Sequence, residues 1–151
     1  MLQTALADLA TLAESLLALL LGGLVGWERE ARGKGAGLRT MMLIAFASFL
    51  FVEVSLAATA GRAEDVADPV RAIQAIATGL GFVGAGIIFQ DASRGRARGI
   101  TTAATLLTVS PIGIAVALGH YVLAVGATLL LVFTLSAMDR VEDHYLRRRA
   151  P

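Results

Sequence analysis

Hydrophobic residues in this chain form long runs separated by short polar segments. The runs predict spans at about residues 9–27, 40–60, 69–90, 100–118 and 121–138. Each approaches the ~20 apolar residues that an α-helix needs to cross a ~30 Å hydrocarbon core. Backbone polar groups in lipid must be satisfied within their own segment, so such runs have to be helical. The pattern predicts an all-α transmembrane bundle of five membrane-spanning helices, in one domain over residues 1–151.

The division of residues 100–138 needs an argument of its own, because no charge interrupts them. One helix of that length would measure about 58 Å, nearly twice the hydrocarbon core. A break at Pro111 would leave a first half too short to span, whereas a break at Gly119 and His120 leaves two adequate runs. We therefore expect two spans with a kink at Pro111; a re-entrant hairpin is the alternative.

The third run carries four glycines within eight positions, Gly79, Gly81, Gly84 and Gly86. Small residues let membrane helices approach closely, so this helix is predicted to be the packing hub of the bundle. The bulky stripe expected to face lipid consists of Ile73, Ile76, Leu80, Val83 and Ile87. The first run holds a second close-packing spacing at Gly22 and Gly26.

The glycine run also satisfies the G-x-G-x-x-G pattern of dinucleotide-binding loops. That interpretation requires a strand before the glycines and an acidic residue about 20 positions later. A membrane-length run precedes them, and Ile100 stands near the later position. Helix packing is therefore the better interpretation.

Composition agrees with a membrane protein and argues against an enzyme. Of the 151 residues, 56% are hydrophobic and 17% charged, with a mean hydropathy of +0.72. There is no cysteine, and His120 and His144 are far apart in sequence, so neither a thiolate nor a histidine metal motif is present. No catalytic triad, paired-carboxylate site or phosphate loop is found, and no resident cofactor is expected.

Basic residues set the expected orientation. With five spans, eleven of the thirteen lysines and arginines share one side, leaving Arg62 and Arg71 on the other. The positive-inside rule then places the amino terminus outside and the carboxyl terminus in the cytoplasm. The basic carboxyl tail is interpreted as an interfacial anchor, and no nucleic-acid partner is expected.

Two acidic residues inside spans form the first candidate site. Counted from the predicted outer ends, Glu14 is about 8 Å deep and Glu53 about 10 Å. Gln74 falls at a similar level, with Arg71 just above it. One hypothesis is a polar site in which Glu14 and Glu53 bind a cation or carry protons; oxygen ligands would suit Mg²⁺. The alternative is that Arg71 pairs with one glutamate while the other reaches the interface.

A second candidate cluster lies at the predicted cytoplasmic ends of the helices. Its members are Glu28, Arg29, Arg39, Thr40 and Arg98. Glu28 and Arg29 are adjacent, and adjacent side chains cannot pair well along a helix. We therefore expect Glu28 to pair with a basic residue of the second loop, and Arg29 with Asp91. The cluster could dock an acidic partner or anionic lipid, or simply set topology.

Hydroxyl residues open the fourth run, at positions 101, 102, 105, 108 and 110. Such side chains usually bond the carbonyl one turn back or a neighbouring helix. A polar pore lining is the alternative.

Five motifs together resemble the MgtC/SapB family of bacterial inner-membrane proteins. They are residues 22–30 (GGLVGWERE), 36–40 (AGLRT), 68–71 (DPVR), 79–86 (GLGFVGAG) and 98–104 (RGITTAA), in the family's order and spacing. The resemblance covers the membrane region. Two features differ from the virulence members: those proteins carry a soluble cytosolic domain after the bundle, whereas the sequence here ends at Pro151, and Leu107 stands where tryptophan is common.

The resemblance implies about five spans and a non-enzymatic, regulatory role. The family's best-known members are virulence factors needed for growth at low magnesium and inside macrophages, and they bind and restrain the F-type ATP synthase. We accordingly expect a homo-oligomer in the lipid bilayer that contacts such a complex. Transport of Mg²⁺ or another cation is the alternative function.

Overall fold

The computed structural model describes residues 2–59, 69–92 and 99–141, and they form five helices. These are α1 (Leu2–Ala31), α2 (Leu38–Thr59), α3 (Pro69–Ala92), α4 (Ile100–Ala117) and α5 (Tyr121–Val141). Each contains a segment of at least 18 residues that is apolar enough to cross a membrane. The described part contains no strand. The all-helical prediction is confirmed, and the orientation of the termini stays a prediction.

The uncharged region after Gly99 divides where the sequence predicts. Gly119 has a φ of 73°, a left-handed conformation that glycine adopts without steric cost. Its N–H bonds the Val116 carbonyl and the His120 N–H bonds the Ala115 carbonyl, which together form a Schellman motif. The motif ends α4 and lets α5 begin at Tyr121, so the region forms two helices of membrane-spanning length.

Helix α4 occupies the centre of the bundle. Of its membrane-length segment 61% is buried, against 11% for the segments in α3 and α5. It packs against each of the other four helices. Its buried residues join two hydrophobic clusters, around Ile112 and Val116 at one level and around Leu106 and Val109 at the other.

Glycines permit the closest backbone approaches in this core. A Cβ added at Gly113 of α4 would overlap the carbonyl oxygen of Ala45 in α2. A Cβ at Gly22 would lie 2.6 Å from the Met41 carbonyl oxygen, and one at Gly26 would lie 2.6 Å from the Leu38 Cα. At these three glycines the backbones of α1 and α4 approach the backbone of α2 with almost no side-chain material between them.

The prediction that α3 is the packing hub is wrong for the single chain. Among the described residues, a Cβ built at Gly79, Gly81 or Gly86 would have no atom within 4 Å other than those of the adjacent residues and of the same helical turns. Gly84 alone meets a neighbour, with its Cβ position 3.3 Å from the Ala103 Cβ.

The predicted faces of α3 are reversed in part. Leu80 is 9% exposed and Ile87 packs against the core, although both belong to the stripe expected to face lipid. Val83 of the same stripe is 46% exposed, and of the small residues Gly84 is buried whereas Gly81 is exposed. The physical reason is that lipid tails and a protein core are equally apolar, so bulky residues are not driven to either.

Replacing Gly113 tests the α2–α4 contact. Gly113→Ala should lower the free energy of unfolding by about 1–3 kcal/mol, because its methyl group would overlap the α2 backbone. Gly126→Ala in α5 is the matched control, since the space around Gly126 is open in the described structure. Thermal unfolding of both purified variants in detergent measures the difference, and equal stability would contradict the packing described here.

Candidate functional site

Two of the predicted intramembrane polar residues come together near one end of the bundle. Glu14 and Glu53 lie on the adjacent helices α1 and α2, close enough for their charges to interact. A third group, which the sequence argument missed, completes the arrangement: the Tyr121 hydroxyl donates a hydrogen bond to Glu14 Oε1. Tyr121 begins α5 directly after the Gly119 turn, which places it at the level of Glu14.

The other two predicted members are on α3. Arg71 and Gln74 are exposed there. Helix α3 packs on α2, which carries Glu53, but in the described structure it makes no contact with α1, which carries Glu14. Arg71 forms no ion pair with Glu14 or Glu53 there. The described contacts join only the two glutamates and Tyr121, which we call the Glu14–Glu53 pair, and the part of Arg71 and Gln74 in the site stays a prediction.

Chemically, two neighbouring carboxylates favour a shared proton or a bound cation. Within the described ranges, no group of three or more histidine, cysteine, aspartate or glutamate residues could hold a metal ion. A Mg²⁺ ion at the Glu14–Glu53 pair would thus keep most of its waters, as it often does with one or two carboxylates.

Arg29 is the structural centre of the opposite end. It is 3% exposed, and its Nη2 donates to the Thr102 hydroxyl at 2.5 Å and to the Gly35 carbonyl at 3.2 Å. These bonds tie α1 to the start of α4 and to the loop between α1 and α2. Asp91, the partner expected from the sequence, has a side chain outside the described part.

Glu28 is held by two side chains of the described structure. Its Oε1 accepts from Arg32 Nε at 2.6 Å, one helical turn away, and from the Ser136 hydroxyl of α5 at 3.3 Å. The i, i+4 spacing brings the side chains of Glu28 and Arg32 together without bending the chain. The basic residues of the second loop lie outside the described residues, so the pairing of Glu28 with one of them stays a prediction.

Glu30, which the sequence argument did not single out, closes the loop between α1 and α2. Its Oε2 accepts the backbone N–H of Leu38 at 2.9 Å, an N–H that the first turn of α2 leaves free. A Cβ at Gly37 would lie 2.7 Å from that oxygen, so glycine leaves room for the carboxylate in this position. A glutamate eight residues before a helix start gives no recognisable capping signal in the sequence.

The remaining members of the predicted cluster are exposed or lie outside the described residues. Arg39 and Thr40 are exposed at the start of α2. Arg98 lies outside the described residues, as do Arg94 and Arg96.

Polar groups between the two ends are few and internally satisfied. The Ser48 and Ser110 hydroxyls bond each other at 2.7 Å across α2 and α4. Thr105 and Thr108 donate to the carbonyls of Thr101 and Ala104 one turn back, as one of the two interpretations predicts. In the described structure, the core around these hydroxyls is made of the two hydrophobic clusters.

Known proteins match this chain over most of its length. A sequence model of the MgtC family matches residues 16–144. Protein SrpB of Synechococcus elongatus is 36% identical over 134 residues, covering 84% of this chain and 74% of that protein. Protein MgtC of Salmonella typhimurium is 37% identical over 117 residues, covering 78% and 47%. Protein MgtC of Brucella abortus is 38% identical over 115 residues, covering 76% and 45%. The chain thus spans under half the length of these two MgtC proteins, and no solved structure matches it.

Removing the Arg29 guanidinium should destabilise the fold. Arg29→Ala leaves the Thr102 hydroxyl and the Gly35 carbonyl without their donor, at a cost of about 1–3 kcal/mol. Arg39→Ala removes the same charge from an exposed position and should leave stability nearly unchanged. Thermal unfolding in detergent compares the two variants, and an Arg29→Ala protein as stable as Arg39→Ala would refute the structural role.

Proposed function

The chain belongs to the MgtC family, and from that premise we propose that it is a non-enzymatic, multi-pass protein of the bacterial inner membrane that regulates a partner complex. The regulation works through contacts between membrane helices. The family resemblance makes the F-type ATP synthase the first candidate partner and links the protein to growth at low magnesium. The proposed orientation has the amino terminus outside and the carboxyl terminus in the cytoplasm.

The distribution of polar groups carries this proposal. Charged groups gather at the Glu14–Glu53 pair and around Arg29, while the described interior around α4 holds apolar clusters and hydroxyls that bond within the protein. A transporter needs polar groups along its path, as carriers and channels generally have. An interior whose few hydroxyls are already bonded favours binding over transport.

The exposed face of α3 supplies a surface for such binding. Gly79, Gly81 and Gly86 leave open space beside the helix in the described structure. In lipid, helix association depends on close van der Waals packing, which small residues permit. We assign this face to a helix of the partner complex, and homo-oligomers would form through the same face.

Cation transport is the second candidate, because Glu14 and Glu53 are close enough for their charges to interact. Carboxylates inside membrane spans often mark ion or proton pathways. In this interpretation the pair would be the outer binding site for Mg²⁺ or another cation.

Filling the glycine face of α3 tests the regulatory proposal. In inverted vesicles, the wild-type protein should slow ATP-driven proton pumping, measured with a pH-sensitive dye. Gly81→Leu should weaken the helix contact by about 1–3 kcal/mol, roughly 5- to 150-fold in affinity, and relieve the inhibition. Gly126→Leu on α5 is the control and should inhibit like wild type. Identical pumping rates with and without the wild-type protein would refute a role on this partner.

A flux assay separates the second candidate from the first. Proteoliposomes loaded with a Mg²⁺-sensitive dye should show no more uptake than empty liposomes. Uptake by the wild type that is lost in both Glu14→Gln and Glu53→Gln, but kept in Glu30→Gln, would reverse the assignment and make the pair a transport site.

A further inference from the structure

A cleft of about 360 Å³ separates α1 from α5 at the end of the bundle that carries Arg29. Leu24, Leu129 and Val132 form its apolar wall. Glu28 and Arg32 line the same cleft, as does Trp27. The lining of the cleft therefore combines an apolar wall with two oppositely charged side chains.

Glu28 keeps acceptor capacity within this cleft. The residue is 9% exposed, and both of its hydrogen-bonded contacts, with Arg32 and Ser136, use Oε1. Neither of these two contacts uses Oε2. A carboxylate offers about four acceptor positions, so a ligand that donates N–H or O–H would find a fixed and largely desolvated acceptor here.

Arg32 supplies the opposite charge one helical turn away. Its side chain is 28% exposed and its Nε holds Glu28 Oε1. A guanidinium matches phosphate oxygens in geometry as well as in charge. A ligand that complements both side chains must carry a cationic donor next to an anionic phosphate.

The surroundings place this charge pair at the level of lipid head groups. Trp27 is 70% exposed on α1, in the manner of tryptophans at membrane interfaces. Leu24 and Leu129 are 53% and 61% exposed, and they continue from the charges along the apolar surface. An acyl chain would follow that wall while its head group stays at the charges.

We propose that the α1–α5 cleft binds an aminophospholipid, phosphatidylethanolamine, through its zwitterionic head group. The primary ammonium donates to Glu28 Oε2 and the phosphate contacts Arg32, while one acyl chain lies along Leu24, Leu129 and Val132. An anionic head group without an amine would set its negative charge against Glu28. Phosphatidylcholine has the same phosphate, but its quaternary ammonium has no N–H to donate. This assignment is independent of the function proposed above.

The chain contains one tryptophan, which lines the cleft and so reports on its occupant. The protein is reconstituted in phosphatidylcholine vesicles that contain a fixed fraction of lipid with brominated acyl chains, which quench nearby tryptophan fluorescence. The brominated lipid is phosphatidylethanolamine, phosphatidylcholine or phosphatidylglycerol in three parallel series. Brominated phosphatidylethanolamine should show a relative binding constant about fivefold above that of the other two, as expected for one net hydrogen bond.

Variants assign the preference to Glu28. Glu28→Gln should remove it, giving equal constants for phosphatidylethanolamine and phosphatidylcholine. Glu30→Gln is the matched control, because it removes a charge two residues away, lies outside the cleft lining and retains an oxygen that can cap Leu38. It should keep the fivefold preference. Ala31→Leu leaves every charge in place but fills the cleft from its rim, and should abolish the preference even if Glu28→Gln does not fold.

Three results would overturn the assignment. The first is equal quenching by all three brominated lipids in the wild type. The second is stronger quenching by phosphatidylglycerol, which would make the cleft an anionic-lipid site governed by Arg32. The third is a full preference for phosphatidylethanolamine in Glu28→Gln or in Ala31→Leu.

Discussion

The structure depends on how closely the backbones of α1, α2 and α4 approach one another. Lipid tails are as apolar as leucine, so membrane helices gain little from the hydrophobic effect when they associate, and packing has to supply the attraction. Gly22 and Gly26 remove side-chain bulk between α1 and α2, and Gly113 does the same between α4 and α2. The Ser48–Ser110 hydrogen bond joins α2 to α4 within the same contact. Everything else, including both polar ends, is positioned by this three-helix core.

The helices themselves were predictable because their cause is local. Apolar length and the need to satisfy the backbone in lipid fix each span, and Gly119 followed by His120 marks a turn that the positive φ confirms. The role of α3 was not predictable in the same way. A glycine-rich face and a leucine–isoleucine face are both acceptable to lipid, so the sequence pattern shows that two faces exist without showing which one packs inside. The close packing at Gly113 was not predicted, because a single glycine two residues after Pro111 has no distinctive spacing.

The polar sites were also predictable only in part. Glu14 and Glu53 were identified because carboxylates are rare in lipid, and Arg29 because it stands in a family motif. Their partners were not, since Tyr121, Thr102 and Ser136 become neighbours only after distant helices pack. Three consecutive residues, Glu28, Arg29 and Glu30, serve three different connections: to α5, to α4 and to the start of α2. Helical geometry explains this, because successive side chains point about 100° apart.

The central position of α4 also bears on how the protein is made. The ribosome delivers α1, α2 and α3 to the membrane before the helix that holds them together exists. Helices α1 and α2 can form their hairpin at once, joined by the glycine contact and the Glu30 cap. Helix α3 touches the bundle through α2 and α4, so its place is settled only after the fourth span arrives. The order of synthesis and the order of assembly therefore differ, and a nascent chain halted before Ile100 would leave its third span loosely held among the surrounding lipids.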